Sequence, residues 1–322
     1  MGVRTVQDTS LTAIADAIRA KASTTAPLAF PDGFASAIAN IQASSGGSDD
    51  TSNQLAIELI ERKNDMSLAL DEVTAVAAHG FQGFSKLTEV SFPNCTTIGS
   101  YGFAECSSLS RAYIPAASQV GSSAFYRCEA LQEIDLPGVR LMESCCFLRC
   151  YSLSYANIPS ATHINGSAFG VCSALTSINM PNVLYVRTYA FQSCTNLASA
   201  YLPAAKNISG YAFQYCQNLS SIHLPECTLI SNNVFTSCAF SEIDLPKCSF
   251  IGNFAFMSCS NLRSVKLGCS TRVSIGHSSI FNGTPMLSEG WIYVPSSLLS
   301  GYKTATFWSY FSSRFSAIED MA

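Results

Sequence analysis

From Phe81 a phenylalanine returns every 22 residues, at Phe103, Phe125, Phe147, Phe169, Phe191, Phe213 and Phe235, then at Phe256 after a one-residue deletion. From Cys106 to Cys259 a cysteine stands three positions after each of them. A period of this length means one supersecondary unit stacked on copies of itself, because a single unit cannot bury its own apolar face. The chain is expected to be a solenoid, with its function on a surface shared by many coils.

Three copies show the unit: Cys106-Ser-Ser-Leu109-Ser-Arg-Ala-Tyr-Ile114-Pro115, Cys172-Ser-Ala-Leu175-Thr-Ser-Ile178-Asn-Met180-Pro181 and Cys216-Gln-Asn-Leu219-Ser-Ser-Ile222-His-Leu224-Pro225. The alternation before each Pro places apolar side chains on one face of a short strand. Pro has no amide hydrogen to donate, so it ends the ladder. An Ile/Val-x-x-x-Ala-Phe stretch then supplies a second buried edge. The expected fold is an α+β repeat, a solenoid of short parallel strands with about ten turns, the last irregular around Phe281.

This unit resembles the BspA-like bacterial leucine-rich repeat, C-x-x-L-x-x-I-x-L-P followed by I-x-x-x-A-F-x-x-C, over residues 66 to 295. The resemblance implies a leucine-rich-repeat solenoid and a recognition role toward proteins or glycans. Fold does not specify the ligand.

Charged residues make up only 12% of the chain and the net charge is -4. About a quarter is usual. With no basic stripe to neutralise phosphates, nucleic-acid binding is not expected. No run of 18 apolar residues marks a membrane span, and the first residues lack the apolar core of a signal peptide.

The fourteen cysteines follow the repeat. Eight (Cys106, Cys128, Cys150, Cys172, Cys194, Cys216, Cys238, Cys259) share one phase. Cys95, Cys227 and Cys248 share another, where other coils carry Ala117, Val139, Ala161, Val183 and Ala205. A slot that accepts Ala, Val or Cys is tight and buried, so free thiols are expected, with no disulfide. There is no C-x-x-C, and the four histidines (His79, His163, His223, His277) fall in different turns. No metal, cofactor or catalytic residue is expected. His223 and Asp244 belong to neighbouring turns, so contact between them is allowed.

Before the repeats, two amphipathic segments place Leu11, Ile14 and Ile18, then Phe34, Ile38 and Ile41, on helical faces behind Ser10 and Pro31. Two such short helices cannot form a core alone, so residues 1–41 are expected to anchor the chain or oligomerise it. Residues 42–53 read as a flexible linker, 54–80 as an N-terminal cap including a helix over 53–62, 81–290 as repeats and 291–322 as a C-terminal cap sealed by aromatics including Trp291 and Trp308. Residues 9–41 resemble a short module at the start of tail-associated structural proteins of phages and prophages. That resemblance implies a virion attachment module carrying a displayed repeat domain.

The outward strand positions form two files. One holds Ser91, Tyr113, Asp135, Asn157, Asn179, Tyr201, His223, Asp244 and Lys266; its neighbour runs from Glu89 through Tyr155 to Ser264. Tyr with Asn and Ser combines rigid contact area with adaptable hydrogen bonding. The expected binding residues are Tyr113, Tyr155, Asn157, Asn179, Tyr201 and His223. A second aromatic file, Tyr101, Tyr189, Tyr211 and Phe254, precedes the repeating Phe. The reading carried forward is a non-enzymatic, tail-associated phage or prophage virion protein. Its N-terminus would bind other virion proteins and form a homo-oligomer, and its repeats would bind a host surface protein or glycan, without membrane insertion. The alternatives are a BspA-like bacterial surface or adhesion protein, and a capsid decoration or fibre protein.

Overall fold

A computed structural model describes residues 66–69, 73–76 and 78–321. The expected anchoring helices (Leu11, Ile14, Ile18, Phe34, Ile38, Ile41), the linker and the helix over 53–62 lie outside them.

Each coil contributes two strands, and each strand joins its own stack. The main file comprises β1 (Met66–Ala69), β3 (Leu87–Ser91), β5 (Arg111–Tyr113), β7 (Glu133–Asp135), β9 (Tyr155–Asn157), β11 (Ser177–Asn179), β13 (Ser199–Tyr201), β15 (Ser221–His223), β17 (Glu242–Asp244), β19 (Ser264–Lys266) and β21 (Trp291–Val294). The second file comprises β2 (Ala75–Val76), β4 (Thr97–Ile98), β6 (Gln119–Val120), β8 (Leu141–Met142), β10 (His163–Ile164), β12 (Tyr185–Val186), β14 (Asn207–Ile208), β16 (Leu229–Ile230), β18 (Phe250–Ile251) and β20 (Ser274–Ile275). All pairings are parallel, residue n against residue n+22 through most of the stack, as with Ile178 against Ala200, and the register shifts once, between Met66 and Ser67 on β1. The main file reaches Met66, inside the segment expected to be a cap, and holds eleven strands where about ten turns were expected. The expected α+β character needs correction: the links between strands are turns, and the one α-helix among the described residues is α1 (Leu299–Thr304), beyond the repeats.

The turns explain why helices are not needed. Around each repeating Phe the backbone alternates between right- and left-handed residues: Tyr101 (φ 57°) and Glu105 (φ 62°) flank Phe103, Tyr189 (φ 61°) and Ser193 (φ 58°) flank Phe191. Alternation sends every second N–H along the stack. Tyr101, Phe103 and Glu105 donate to the carbonyls of Ser122, Ala124 and Tyr126 in the next coil at 3.0, 2.7 and 2.6 Å. Gly102, Ala104 and Cys106 donate within their own coil. A left-handed non-glycine residue costs about 1–2 kcal/mol, and a hydrogen bond returns about 1 kcal/mol net. Three bonds per coil offset two strained residues, and they do so only when the next coil is present.

Inside, the phenylalanines form one continuous ladder from Phe81 to Phe281, with centroids 5.1–5.8 Å apart and planes within 21° of parallel. Phe103 through Phe256 are fully buried. The one-residue deletion falls between Cys238 and Ile243, and Phe240 fills the place that Leu takes in other coils. Its ring meets Phe235 edge-on at 5.4 Å. The accommodation is incomplete. Phe213 and Phe235 are the most widely spaced neighbours of the ladder at 5.8 Å, Ile222 is only partly buried, and β15 forms no ladder with β17.

All fourteen cysteines are free, and all but Cys145 are buried. They do more than fill space. Each thiol of the main phase donates to the carbonyl of the Phe in the preceding coil, Cys128 to Phe103 at 3.0 Å, Cys150 to Phe125 and Cys172 to Phe147 at 3.1 Å. Cys95, Cys227 and Cys248 instead reach the carbonyl two residues ahead. Burial pushes the thiols up, Cys106, Cys194, Cys227 and Cys259 to about 12. Thiolate is the reactive form. A disulfide-forming reagent at neutral pH is therefore expected to modify native protein at Cys145 alone and all fourteen sites after unfolding. A Cys145→Ser protein that still reacts while folded would contradict this.

At the C-terminal end the missing next coil is replaced by side chains. The Tyr302 hydroxyl accepts from the Val273 N–H at 2.8 Å, and Trp308 Nε1 donates to the Val273 carbonyl at 2.7 Å. Phe311 meets Phe281 edge-on and ends the ladder. β22 (Phe315–Ala317) adds in parallel to β21. Trp308 thus closes this end of the stack. Trp291 does not: it is 43% exposed on β21, opposite Ser264 in the outward file.

Candidate ligand-binding face

The three-residue strands bury their middle residue and expose the two flanking ones, because side chains alternate across a strand. The in-register ladder then lines up flanking residues from coil to coil. It places all six expected binding residues on this face. Tyr113, Tyr155 and Tyr201 are 53%, 55% and 48% exposed. Asn179 and His223 are exposed and Asn157 is half-buried.

They are not all neighbours. Asn179, Tyr201 and His223 are direct register partners, and the Tyr201 and His223 rings stack at 5.0 Å with planes 3° apart. Asn157 donates to Asp135 Oδ1 at 2.8 Å. Tyr155 stands beside Glu133 in the adjacent file. Tyr113 is separated from Asn157 by the coil of Asp135. His223 uses its ring on Tyr201, and Asp244 faces Lys266 at 3.7 Å, so the two do not form the pair their spacing allowed.

The remaining histidines are equally occupied. His79 stacks on Tyr101 and its Nδ1 lies 2.6 Å from Gln82 Oε1. His163 packs against Tyr185, and His277 accepts from the Ser279 N–H. Among the described residues no group of three His, Cys, Asp or Glu is arranged to hold a metal. Nor does any helix there have the length and apolarity to cross a membrane.

Two other partly exposed files exist. Tyr101, Tyr189, Tyr211 and Phe254 occupy the left-handed position before each Phe, with Tyr189 and Tyr211 stacked at 5.0 Å. The other lies on the two-residue strands, where Leu141 is exposed and Arg187 sits over Tyr185 at 5.1 Å. Sequence reading passed over this file, although the position before each buried Ile or Val of the second strand would have marked it.

Solved structures of similar chains include a leucine-rich repeat protein from Bacteroides ovatus, 20% identical over 78% of this chain and 84% of that one, with a TM-score of 0.36. A leucine-rich cell surface protein from Faecalibacterium prausnitzii is 21% identical over 77% and 82%, with a TM-score of 0.37. The T. pallidum leucine-rich repeat protein is 24% identical over 54% and 77%, with a TM-score of 0.40. No curated protein sequence matches significantly. Residues 74–198 and 184–307 match the family described as BspA type leucine-rich repeat region, in six copies. That match spans more than half of the chain, which therefore belongs to the BspA type leucine-rich repeat family.

Proposed function

We propose that the chain is a non-enzymatic bacterial surface protein whose main strand face holds a macromolecular partner. The observation that carries this reading is the in-register row Asn179, Tyr201 and His223, with the exposed Tyr155 on the preceding strand of the same face. Rigid repeats present extended binding surfaces at little ordering cost, and Tyr is enriched where such surfaces bind. Family membership supports a binding scaffold over catalysis.

Alanine at Tyr155 and Tyr201 together tests it. Both side chains are exposed, so the fold is expected to stay intact by circular dichroism, while binding of fluorescent protein to bacterial or host cells is expected to fall at least tenfold. Unchanged cell binding would remove this face from the function. The virion reading draws its support from residues 9–41. Protein lacking residues 1–41 is expected to keep its cell binding in the same assay, since both readings place the binder in the repeats; its loss would move the binding surface out of the main strand face.

A further inference from the structure

On the main face, β9, β11, β13 and β15 present Tyr155 and Asn157, Ser177 and Asn179, Ser199 and Tyr201, Ser221 and His223. This strip carries no carboxylate, Lys or Arg. The next strand on either side carries the same triplet, Glu133-Ile134-Asp135 on β7 and Glu242-Ile243-Asp244 on β17, with both carboxylates outward. Asp135 is held by Asn157 and Asp244 by Lys266. Glu133 and Glu242 stand at the two ends as exposed charges. Ladder pairing also stops on both sides of β11–β13–β15. The bonds that lead into the strands elsewhere, such as Ser154 N–H to Gln132 O and Ala198 N–H to Thr176 O, have no counterpart among the described residues between β9 and β11 or between β15 and β17.

We infer that this strip takes an uncharged, chain-like glycan laid along the coil axis, an inference that rests on the main face being the ligand surface. Four strands at about 4.8 Å give the strip a length of roughly 19 Å, and outward positions i and i+2 give it a width of about 7 Å. A narrow, uncharged chain laid along it stays clear of the flanking carboxylates. Asn amides offer both donors and acceptors, and Ser and Tyr hydroxyls do the same, matching the hydroxyls of a sugar. The Tyr201 ring stacks on His223 and remains half exposed, leaving its rim and hydroxyl open to a sugar. The strip has no Lys or Arg to hold a carboxylate or sulfate, and Glu133 and Glu242 repel a polyanion at both ends.

The full chain is titrated with maltohexaose, cellohexaose, laminarihexaose and mannohexaose, and with oligogalacturonate as the anionic probe, followed by tyrosine fluorescence and saturation-transfer NMR. At least one neutral hexasaccharide is expected to bind, with Tyr201→Ala weakening it at least tenfold and Asn179→Ala several-fold. Oligogalacturonate is expected not to bind the unaltered chain. The inference is overturned if no neutral probe binds, if the anionic probe binds better to the unaltered chain, or if Tyr201→Ala leaves neutral binding unchanged. Should no glycan bind while the Tyr155/Tyr201 variant still loses cell binding, the face remains the ligand surface and its partner is a polypeptide. Should that variant keep its cell binding, both readings fall.

Discussion

Between about pH 9 and 11 the urea midpoint of the reduced protein is expected to fall steeply, and the cysteine file is the cause. Desolvation raises Cys128, Cys150, Cys172, Cys216 and Cys238 well above the ordinary thiol value of 9.0, and Cys194 to about 12. In the unfolded chain the same thiols ionise near that ordinary value. Above it the native state keeps protons that the unfolded state has released, so stability is fully present below the unfolded value and is lost as pH rises toward the folded ones. Each fully buried thiol contributes about 1.4 kcal/mol per pH unit in that window. Six of them give roughly 8 kcal/mol one unit above the unfolded value, within the 5–15 kcal/mol of a whole domain. The check is a urea series against pH with reductant present, on the protein and on a Cys150→Ala/Cys194→Ala/Cys238→Ala variant. The variant starts less stable at neutral pH but loses stability with a shallower slope, by the three protons it lacks. Equal slopes would place the alkaline loss on tyrosine or lysine instead.

Replacing Phe169 with Ala in the middle of the ladder is expected to cost about 3–5 kcal/mol, the range for emptying a buried aromatic site. The site cannot collapse, because backbone bonds on both sides fix the coil spacing: Phe147 N–H bonds to Ala168 O, and Phe169 N–H to Ala190 O. Stacking on Phe147 and Phe191 at 5.2 and 5.3 Å adds about 0.5–1.5 kcal/mol per pair beyond buried area. Phe169→Leu keeps most of the volume and loses the stacking, so it is expected to fall between the two. Since a solenoid holds together through nearest-neighbour interfaces, amide exchange should rise first in the coils from residue 147 to 191. A loss below about 1 kcal/mol, or exchange rising first at the ends, would show that the ladder is not what joins the coils.

The apolar skeleton was legible in the sequence because each buried side chain recurs at fixed phase, as with Phe103, Cys106, Leu109 and Ile114. The backbone around Phe was not. Left-handed residues are ordinarily marked by glycine, and here Tyr101, Glu105, Arg127 and Val171 take those positions, held there by bonds from the neighbouring coil. Thiol hydrogen bonding was hidden because a slot that alternates with Ala and Val, such as that of Cys95, reads as pure packing. On the face, the outward placement of Tyr155 and Tyr201 follows from period two alone. The interruption of the ladder between β9 and β11 does not, since no residue type announces it, whereas the one between β15 and β17 sits at the one-residue deletion before Phe256. Trp291 shows the converse error: a bulky aromatic near a chain end reads as a plug, yet its strand phase turns it outward.

The bonds that join the coils point along the long axis, and this decides how the protein meets mechanical load. A pull between the two ends places every interface in series, so each carries the whole force and the weakest yields first. That interface lies between β15 and β17, where the strand file has no ladder and the aromatic spacing is widest. One released coil of 22 residues frees about 75 Å of chain where it had occupied about 5 Å of stack. A solenoid of this kind pulled between its ends therefore extends in long, discrete steps, one coil at a time.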